Sequence, residues 1–261
     1  MSNVRTKPFD CSGVRGARGV LRAGASRAMG LVRLALPQHC ELCLAPTHSA
    51  LLCAPCASAL PRAAAACPVC ALPSPDGAIC GACHRHPPPY AATVAALVYA
   101  FPVDRLLQQI KYGGRLALAD WAGAVLAAAV RHALAQRKAD DRPERIVALP
   151  LAEQRQRERG FNQAREIATR VAQATALPLA APLTRISGGP PQAALPWAAR
   201  RRNVQGAFAA HADLRGARIA LVDDVMTTGA TLAEAARALT RAGAARVECW
   251  VVARTLPPGT A

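Results

Sequence analysis

Four Cys-x-x-Cys pairs constrain the fold of this chain more than any other feature of its sequence. The pairs are Cys40/Cys43, Cys53/Cys56, Cys67/Cys70 and Cys80/Cys83. Each cysteine of the last two pairs follows its counterpart in the first two by 27 residues, so the segment repeats itself. Two residues between cysteines let both thiolates face one tetrahedral metal site, and a second pair completes a four-thiolate shell. The spacing therefore predicts two sequential structural Zn2+ sites.

Disulfide bonds are the alternative interpretation of a chain with ten cysteines. Evenly phased pairs favour metal, and interleaved ligation or a single zinc site is also compatible with the spacing. A closed four-thiolate site has no open position for a substrate, so we expect a structural or docking role. Cys11 and Cys249 stand outside the repeat, and we expect Cys249, in an apolar run, to be an ordinary buried side chain.

An excess of basic side chains predicts an anionic partner. Lys and Arg number 32 against 16 Asp and Glu, which gives a formal net charge of +16. That balance is typical of chains that bind nucleic acid, a membrane surface or a phosphorylated metabolite, and it does not choose among them. A hydrophobic share of 52% excludes an intrinsically disordered chain.

Changes in composition predict three regions: a basic N-terminal arm over 1–38, a double zinc ribbon over 39–86, and an α/β domain over 87–261. We interpret the arm as partly disordered, with a basic amphipathic helix that contacts anionic lipid or nucleic acid as the alternative. No apolar run is long enough and free enough of charge to predict a transmembrane segment, and no signal-peptide pattern is present. We therefore expect a cytoplasmic protein, with peripheral contact at the inner face of the membrane through the arm as an alternative.

Strands and helices alternate from residue 93 onward. The patterns predict strands over 93–99, 145–149, 219–222 and 247–253, and helices over 103–111, 116–137, 162–174 and 231–242. A loop is predicted over 187–203, which contains Gly-Gly-Pro-Pro. Such alternation predicts an α/β fold with a mainly parallel sheet that is covered on both faces.

An acidic pair and a Thr/Gly loop follow the strand predicted over 219–222. The run reads Asp223-Asp224-Val225-Met226-Thr227-Thr228-Gly229-Ala230-Thr231 and leads into a helix. Backbone N–H groups and Thr hydroxyls at the helix start form an anion site, and Gly229 lets the backbone approach a phosphate closely. Adjacent carboxylates can accept hydrogen bonds from vicinal hydroxyls. The alternative is an Asp N-cap pair on an ordinary turn; we predict a ribose 5-phosphate pocket at the carboxyl edge of the sheet.

These residues resemble the signature of the phosphoribosyltransferase family. With its double zinc ribbon the chain is similar to the competence protein ComF family, over about residues 31–254. The other motifs that carry the resemblance are Ile110-Lys111-Tyr112 with Gly114-Arg115, the run 157–164, Pro191-Gln192, and Arg201-Arg202-Asn203-Val204 with Gly206-Ala207-Phe208.

The resemblance implies a type I phosphoribosyltransferase fold that binds phosphoribosyl pyrophosphate with Mg2+. In that case Asp223 and Asp224 are the catalytic pair that holds the ribose hydroxyls. The 5-phosphate would contact Thr227, Thr228, Gly229, Ala230 and Thr231. The turn at Pro150-Leu151 would approach the pyrophosphate beneath a hood formed by residues 188–204. The further substrate-binding residues are Lys111, Arg159, Arg201 and Arg202.

Two arginine clusters are predicted to neutralise an anionic ligand. They comprise Arg155, Arg157, Arg159 and Arg165 in one run and Arg200, Arg201 and Arg202 in the other. A solvated basic face is the alternative. Single-stranded nucleic acid normally also needs aromatic stacking, and aromatic residues are only 4% of this chain. DNA is therefore a partner that the family resemblance, rather than composition, predicts.

Two positions depart from the family pattern near the pyrophosphate. Ala152 stands where members often carry a histidine, and Pro196 follows Leu195 where the hood commonly reads Leu-Ser. The first hypothesis is an enzyme that displaces pyrophosphate with an acceptor such as a nucleobase, in DNA uptake, natural transformation or nucleotide salvage. The alternative is a non-catalytic ligand sensor or DNA-binding adaptor of the competence machinery, with single-stranded DNA and DNA-uptake proteins as partners.

Overall fold

The computed structural model describes residues 38–48, 50–186 and 205–257. Predictions for the N-terminal arm, for Cys11, for the hood and for Arg201 and Arg202 lie outside the described residues. The chain falls into two compact units, which are divided between Ser58 and Ala59. The domain boundaries predicted at residues 38 and 86 stay predictions.

The first unit contains short elements around the first four cysteines. Strand β1 (Gln38–His39) pairs antiparallel with β2 (Pro46–Thr47), and helix α1 spans Ala54–Ser58. The turn between the strands is closed by Cys40 N, which donates to Ala45 O at 2.8 Å. This turn brings the first pair of cysteines to one side of the backbone.

The second unit begins with a copy of the same local structure. Cys67 N donates to Leu72 O at 2.8 Å, at positions that correspond to Cys40 and Ala45 in the first unit. Helix α2 (Gly81–Arg85) follows Cys80 as α1 follows Cys53. Each turn also contains one non-glycine residue in the left-handed region, with φ 60° at position 44 and 55° at position 71. The repeat in the sequence is therefore a repeat in the backbone.

Five parallel strands form the central sheet of the second unit. Their order in space is β3 (Thr93–Val98), β9 (Arg246–Arg254), β8 (Arg218–Met226), β4 (Arg145–Ala148) and β5 (Leu179–Ala180). Every neighbouring pair in this sheet is parallel. A parallel sheet is normally covered on both faces, and the central strands here contain continuous buried apolar runs over 219–222 in β8 and 249–253 in β9. The predicted fold class is confirmed, and Cys249 in β9 is fully buried.

Helices cover the sheet and bring side chains to its carboxyl edge. They are α3 (Val103–Gly113), α4 (Leu116–Ala135), α5 (Glu153–Arg159), α6 (Gln163–Thr175) and α7 (Ala230–Arg241). Within the described chain, α4 is the one helix long and apolar enough to cross a membrane. It packs on α6, β3 and β9, and its residues from Leu118 to Val130 on that side are buried. One side of α4 therefore packs against other elements of the second unit.

The structure differs from the sequence prediction at several elements. Strand β8 runs to Met226 instead of ending at Val222, because residues 223, 225 and 226 stay in register with β9. Helix α5 was not predicted because it has no apolar stripe. It contains an ion pair of Arg157 with Glu153 and ends at Gly160, a C-cap in the left-handed region. Strands β5, β6 (Leu183–Arg185) and β7 (Phe208–Ala210) are too short for a periodic pattern, and β6 pairs antiparallel with β7.

Candidate ligand-binding cleft and zinc sites

The acidic pair lies near the carboxyl end of β8, at the edge where parallel sheets usually bind ligands. Lys111, from α3, places its Nζ 2.7 Å from Asp224 Oδ2. The N–H of Asp224 donates to Asp223 Oδ1 at 2.8 Å. The side chain of Asp224 is only 7% exposed and that of Lys111 21%, so water screens this ion pair weakly.

These contacts separate the ionisation of the two acids. Burial, and then the charge of Asp224, raise the pKa of Asp223 well above its ordinary value. Burial also opposes ionisation of Asp224, but the Lys111 ammonium outweighs it and holds the pKa of Asp224 below its ordinary value. Asp224 is therefore the charged partner of Lys111, and burial opposes ionisation of Asp223.

The loop between β8 and α7 has the geometry of an anion site. Gly229 is the N-cap of α7, with φ 78° in the left-handed region that side chains disfavour. The N–H of Ala230 donates to Thr228 Oγ1 at 3.1 Å. A Cβ added to Gly229 would lie 3.0 Å from Tyr90 Oη, so the buried tyrosine supports the loop from behind. The first N–H groups of a helix of this length have no intrahelical acceptor and attract an anion.

One cleft of about 770 Å³ joins the acidic pair to this loop. That volume lies in the range of small-molecule sites. The predicted site residues that line it are Asp223, Asp224, Thr227, Gly229, Thr231, Lys111, Pro150, Leu151 and Arg159. Thr228 and Ala230 belong to the same loop without lining the cleft. The structure thus brings together residues from four separate segments of the described chain.

The arginines on the cleft wall come partly from α5. Arg155 and Arg159 both line the cleft because a spacing of four residues puts them on one face of the helix. Arg157, between them, is 73% exposed and pairs with Glu153 at 3.4 Å. The guanidinium of Arg159 lies 5.4 Å from the centre of the Tyr112 ring, a cation–π distance. The first predicted arginine cluster therefore contributes only alternate members, and Arg165 is an exposed residue of α6.

Three further cleft residues were not among the predicted site residues. Arg185, at the end of β6, lies over the Phe208 ring at 5.6 Å, and burial followed by the charge of Arg155 lowers its pKa. Asn162 belongs to the family motif over 157–164, and its Nδ2 donates to Leu149 O at 3.0 Å. The neighbouring Gln163 is buried, and its Oε1 has no hydrogen-bond partner among the described residues. No local pattern marks Arg185, because a tertiary contact brings it to the cleft.

Both cysteine groups have the dimensions of a zinc site. In each group the four Sγ atoms lie within 4.8 Å of one another. The Cys43 and Cys53 sulfurs are 3.6 Å apart, and those of Cys70 and Cys80 are 3.7 Å apart. A tetrahedral site with Zn–S bonds of about 2.3 Å requires neighbouring sulfurs about 3.8 Å apart. The groups are sequential, Cys40/Cys43/Cys53/Cys56 and Cys67/Cys70/Cys80/Cys83, as the repeat predicts, and they suit structural zinc.

Backbone amides stabilise the thiolate of the first cysteine in each group. Burial opposes ionisation of Cys40, but backbone N–H groups, first those of Cys43 and Cys53, lower its pKa to about 6. The corresponding amides in the second group lower the pKa of Cys67 to about 7, and Cys80 N donates to its Sγ at 3.4 Å. Because zinc binds the thiolate form, these amides favour the ligand state of each site.

We expect Gly229→Ala to destabilise the second unit by about 1–3 kcal/mol more than Gly216→Ala, because only the methyl group at position 229 would lie against a close neighbour, the Tyr90 hydroxyl. Both glycines have positive φ, 78° and 73°, so both variants carry the cost of a left-handed alanine. No heavy atom lies within 4 Å of a Cβ at position 216. Urea denaturation measures the difference, and adding Tyr90→Phe to Gly229→Ala should recover part of it. Equal costs at the two glycines would contradict the close approach of Tyr90.

Comparison with known proteins assigns both regions to families. The phosphoribosyl transferase domain family matches residues 124–257, and the double zinc ribbon domain family matches residues 31–84. The DNA utilization protein YhgH of Salmonella typhimurium is 34% identical over 230 residues, which cover 85% of this chain and 100% of the relative. Competence protein F of Haemophilus influenzae is 31% identical over 179 residues, 67% of this chain and 78% of the relative.

The solved structures that are similar include a purine phosphoribosyltransferase from Pyrococcus horikoshii. It is 18% identical, with a TM-score of 0.32, over 62% of this chain and 77% of that protein. The family matches and the relatives of nearly full length agree with the parallel sheet and the two cysteine groups. This chain therefore belongs to the ComF family, whose members join a double zinc ribbon to a phosphoribosyltransferase domain.

Proposed function

We propose that this chain binds phosphoribosyl pyrophosphate, together with Mg2+, in the cleft at the carboxyl edge of the sheet. The observation that carries the proposal is that the acidic pair and the Gly229 loop open into one cleft that arginines also line. A phosphorylated ribose presents a phosphate and a vicinal diol at separate positions. The cleft offers backbone donors for the first and carboxylate acceptors for the second.

The ribose 5-phosphate would occupy the loop between β8 and α7. Its oxygens would accept hydrogen bonds from backbone N–H groups at the start of α7, where the helix dipole also favours negative charge. Thr227 and Thr231 line the cleft and offer hydroxyl donors. The two ribose hydroxyls would donate to Asp223 and Asp224. Lys111 would act on the ligand through Asp224, whose charge and position it maintains.

The pyrophosphate would face the cationic part of the cleft. Arg155, Arg159 and Arg185 come from α5 and β6, and Pro150 and Leu151 form the turn beside them. Guanidinium groups that are already in place stabilise charge as it develops on a departing pyrophosphate. The described acids fit Mg2+ that arrives with the ligand, since this ion commonly uses one or two carboxylates plus substrate phosphates. When bound, Mg2+ would neutralise charge on the pyrophosphate oxygens.

The corresponding activity is transfer of the phosphoribosyl group to a nitrogen nucleophile. A bond forms between that nitrogen and the anomeric carbon, the bond from this carbon to the pyrophosphate oxygen breaks, and pyrophosphate leaves with the electron pair. The acceptor then loses a proton. Positioning and electrostatics are sufficient for this step, so the chain needs no covalent nucleophile.

A non-catalytic sensor of the same ligand is the second candidate. Ala152 is the N-cap of α5 beside the Pro150-Leu151 turn, and its side chain makes no capping hydrogen bond and has no group for proton transfer. The relatives named a DNA utilization protein and competence protein F support a role in DNA handling for either candidate. In that role single-stranded DNA and DNA-uptake proteins are the proposed partners.

Isothermal titration with phosphoribosyl pyrophosphate and Mg2+ tests the proposal. We expect wild type to bind and Asp223→Ala/Asp224→Ala to bind at least about 100-fold more weakly, because hydrogen bonds to charged groups contribute about 1.5–3 kcal/mol each. Asp213→Ala is the matched control, since this exposed acid pairs with Arg215 and does not line the cleft. No binding by wild type would contradict the proposed ligand. Equal binding by the double variant would contradict the role of the acidic pair.

Pyrophosphate release separates the two candidates once binding is established. Wild type is incubated with the ligand, Mg2+ and a panel of nucleobases and small amines. Release that depends on one acceptor identifies an enzyme. Tight binding without release for any acceptor supports the sensor.

A further inference from the structure

Arg254 connects the second cysteine group to the phosphate loop. It is the last residue of β9 and is only 5% exposed. Its Nε donates to the carbonyl oxygen of Cys70 at 2.8 Å. Its Nη1 donates to Met226 O at 2.9 Å and also to Thr227 O. One buried guanidinium therefore contacts the backbone of a cysteine ligand and the backbone that enters the loop.

Neighbouring contacts hold the same two parts together. Thr93, the first residue of β3, donates its N–H to Pro68 O at 2.9 Å and its hydroxyl to Val69 O at 2.6 Å. The backbone of the Cys67/Cys70 turn is thereby hydrogen-bonded to the sheet at three successive carbonyls, those of residues 68, 69 and 70. Tyr90 is buried in the same unit, and its hydroxyl lies close to Gly229.

The charge of Arg254 is consistent with a metal-loaded second site. Among the residues that the structure describes, Arg254 makes no ion pair with Asp or Glu, although a buried charge is costly without compensation. Four thiolates around one Zn2+ are formally dianionic. With zinc bound, the second group supplies negative charge beside the guanidinium, and without zinc that charge depends on the ionisation of the thiols.

We propose that Arg254 is a positioning residue that couples zinc occupancy of the second cysteine group to the shape of the phosphate loop. Zinc holds the Cys70 carbonyl in place, this carbonyl orients the guanidinium, and the guanidinium fixes the carbonyls of Met226 and Thr227 so that the following N–H groups face the cleft. Coupling between two sites is reciprocal, so a ligand in the loop also strengthens zinc binding at the second group. The effect of a bound ligand on zinc affinity rests on the proposed function, whereas the effect of zinc on the loop does not.

Amide hydrogen exchange of residues 226–231 tests the coupling without any ligand. We expect exchange in this segment to be about tenfold or more faster in Cys80→Ser and in Arg254→Gln than in wild type. Cys53→Ser, at the corresponding position of the first group, is the matched control and should leave the segment unchanged. Arg254→Lys keeps the charge but lacks the planar fork, and should give an intermediate rate.

A general loss of stability has to be separated from loosening of the loop. Arg137→Gln serves this purpose. Arg137 forms an ion pair at 2.6 Å with Glu248, a buried residue of β9, the strand that ends at Arg254, and it does not contact the loop. This variant should lower the unfolding temperature without a selective effect on residues 226–231. Exchange of residues 226–231 is compared in the two variants at temperatures equally far below the unfolding temperature of each. If it is no faster in Arg254→Gln than in Arg137→Gln, the proposal is overturned.

The effect of the ligand on zinc binding is tested by measuring zinc affinity in competition with a chromogenic chelator. Saturating phosphoribosyl pyrophosphate and Mg2+ should raise the zinc affinity of the second group of wild type by about tenfold, and should have no effect in Arg254→Gln. The first group, measured in Cys80→Ser, should be unaffected by the ligand. If wild type does not bind the ligand but the exchange results are as expected, the proposed function fails and the coupling stands. If the ligand binds and the zinc affinity of the second group does not change, the coupling to the ligand is overturned.

Discussion

Cys67→Ser is expected to reduce the zinc content from about two ions to about one per chain and to lower the unfolding temperature of the second unit by about 10 °C or more. Cys67 is 1% exposed and belongs to the compact unit that contains the sheet. Apparent binding free energies of structural zinc are about 10–16 kcal/mol in peptides, which exceeds the total stability of many domains. Elemental analysis measures the zinc, and calorimetry measures the unfolding transition.

Cys40→Ser is the matched control for this prediction. Cys40 corresponds to Cys67 in the repeat, is also buried and is likewise the first cysteine of its group. It belongs to the first unit, whereas Cys67 belongs to the second. The variant should lose the same amount of zinc while the transition of the second unit keeps its temperature. Wild type without zinc and with oxidised thiols would instead favour the disulfide interpretation of the cysteine pairs.

Lys111→Met is expected to destabilise the second unit by about 3–5 kcal/mol at neutral pH, because it leaves the buried carboxylate of Asp224 without its counter-ion. The two side chains are 2.7 Å apart in the structure and both are largely buried. Lys138→Met is the control, since Lys138 is exposed. Urea denaturation of both variants measures the difference, and a cost for Lys111→Met no larger than that for Lys138→Met would contradict the buried ion pair.

The cost of Lys111→Met should depend on pH in a defined direction. In wild type the folded pKa of Asp224 is depressed, so its contribution to stability is present above the unfolded pKa and is lost as the pH falls. In the variant the contribution of Lys111 is lost, and we expect burial, the largest cause, to outweigh the remaining hydrogen bonds and raise the folded pKa, so stability is lost as the pH rises through that value. The gap between the two proteins should therefore be largest near neutral pH and shrink as the pH falls through the raised pKa of the variant. It should close only below the depressed pKa of Asp224 in wild type, where the carboxyl is protonated in both. A constant gap from pH 4 to pH 7 would exclude Asp224 as the partner of Lys111.

Adding Asp224→Asn to Lys111→Met separates the two contributions. If desolvation of an unpaired charge is the main cost, the double variant should be more stable than Lys111→Met alone. The same proteins together with Asp224→Asn alone, titrated with phosphoribosyl pyrophosphate, show whether Lys111 acts on the ligand directly or through Asp224. In the second case Lys111→Met weakens binding no further once Asp224 is absent.

Features of this protein that depend on residues close together in the chain were predictable from the sequence. The two cysteine groups were predictable because Cys-x-x-Cys spacing places both thiolates on one turn, and the structure repeats that turn at an interval of 27 residues. The acidic pair and the Gly229 loop were predictable for the same reason, since strand, loop and helix follow without interruption. The main strands and helices had the apolar periods that their burial requires, apart from α5, which is polar on all sides.

Which distant residues meet at the cleft, and how they set its charge, depends on tertiary contacts. Lys111 pairs with Asp224, Arg185 reaches the wall from a three-residue strand, and Arg254 contacts both Cys70 and the phosphate loop. None of these pairings has a local pattern, because they depend on strand order, on helix packing and on the direction of single side chains. Local patterns in the sequence specify the kinds of sites that this chain has. Folding decided their connections, because it brings side chains from separate segments within hydrogen-bonding distance in an interior where water screens them weakly.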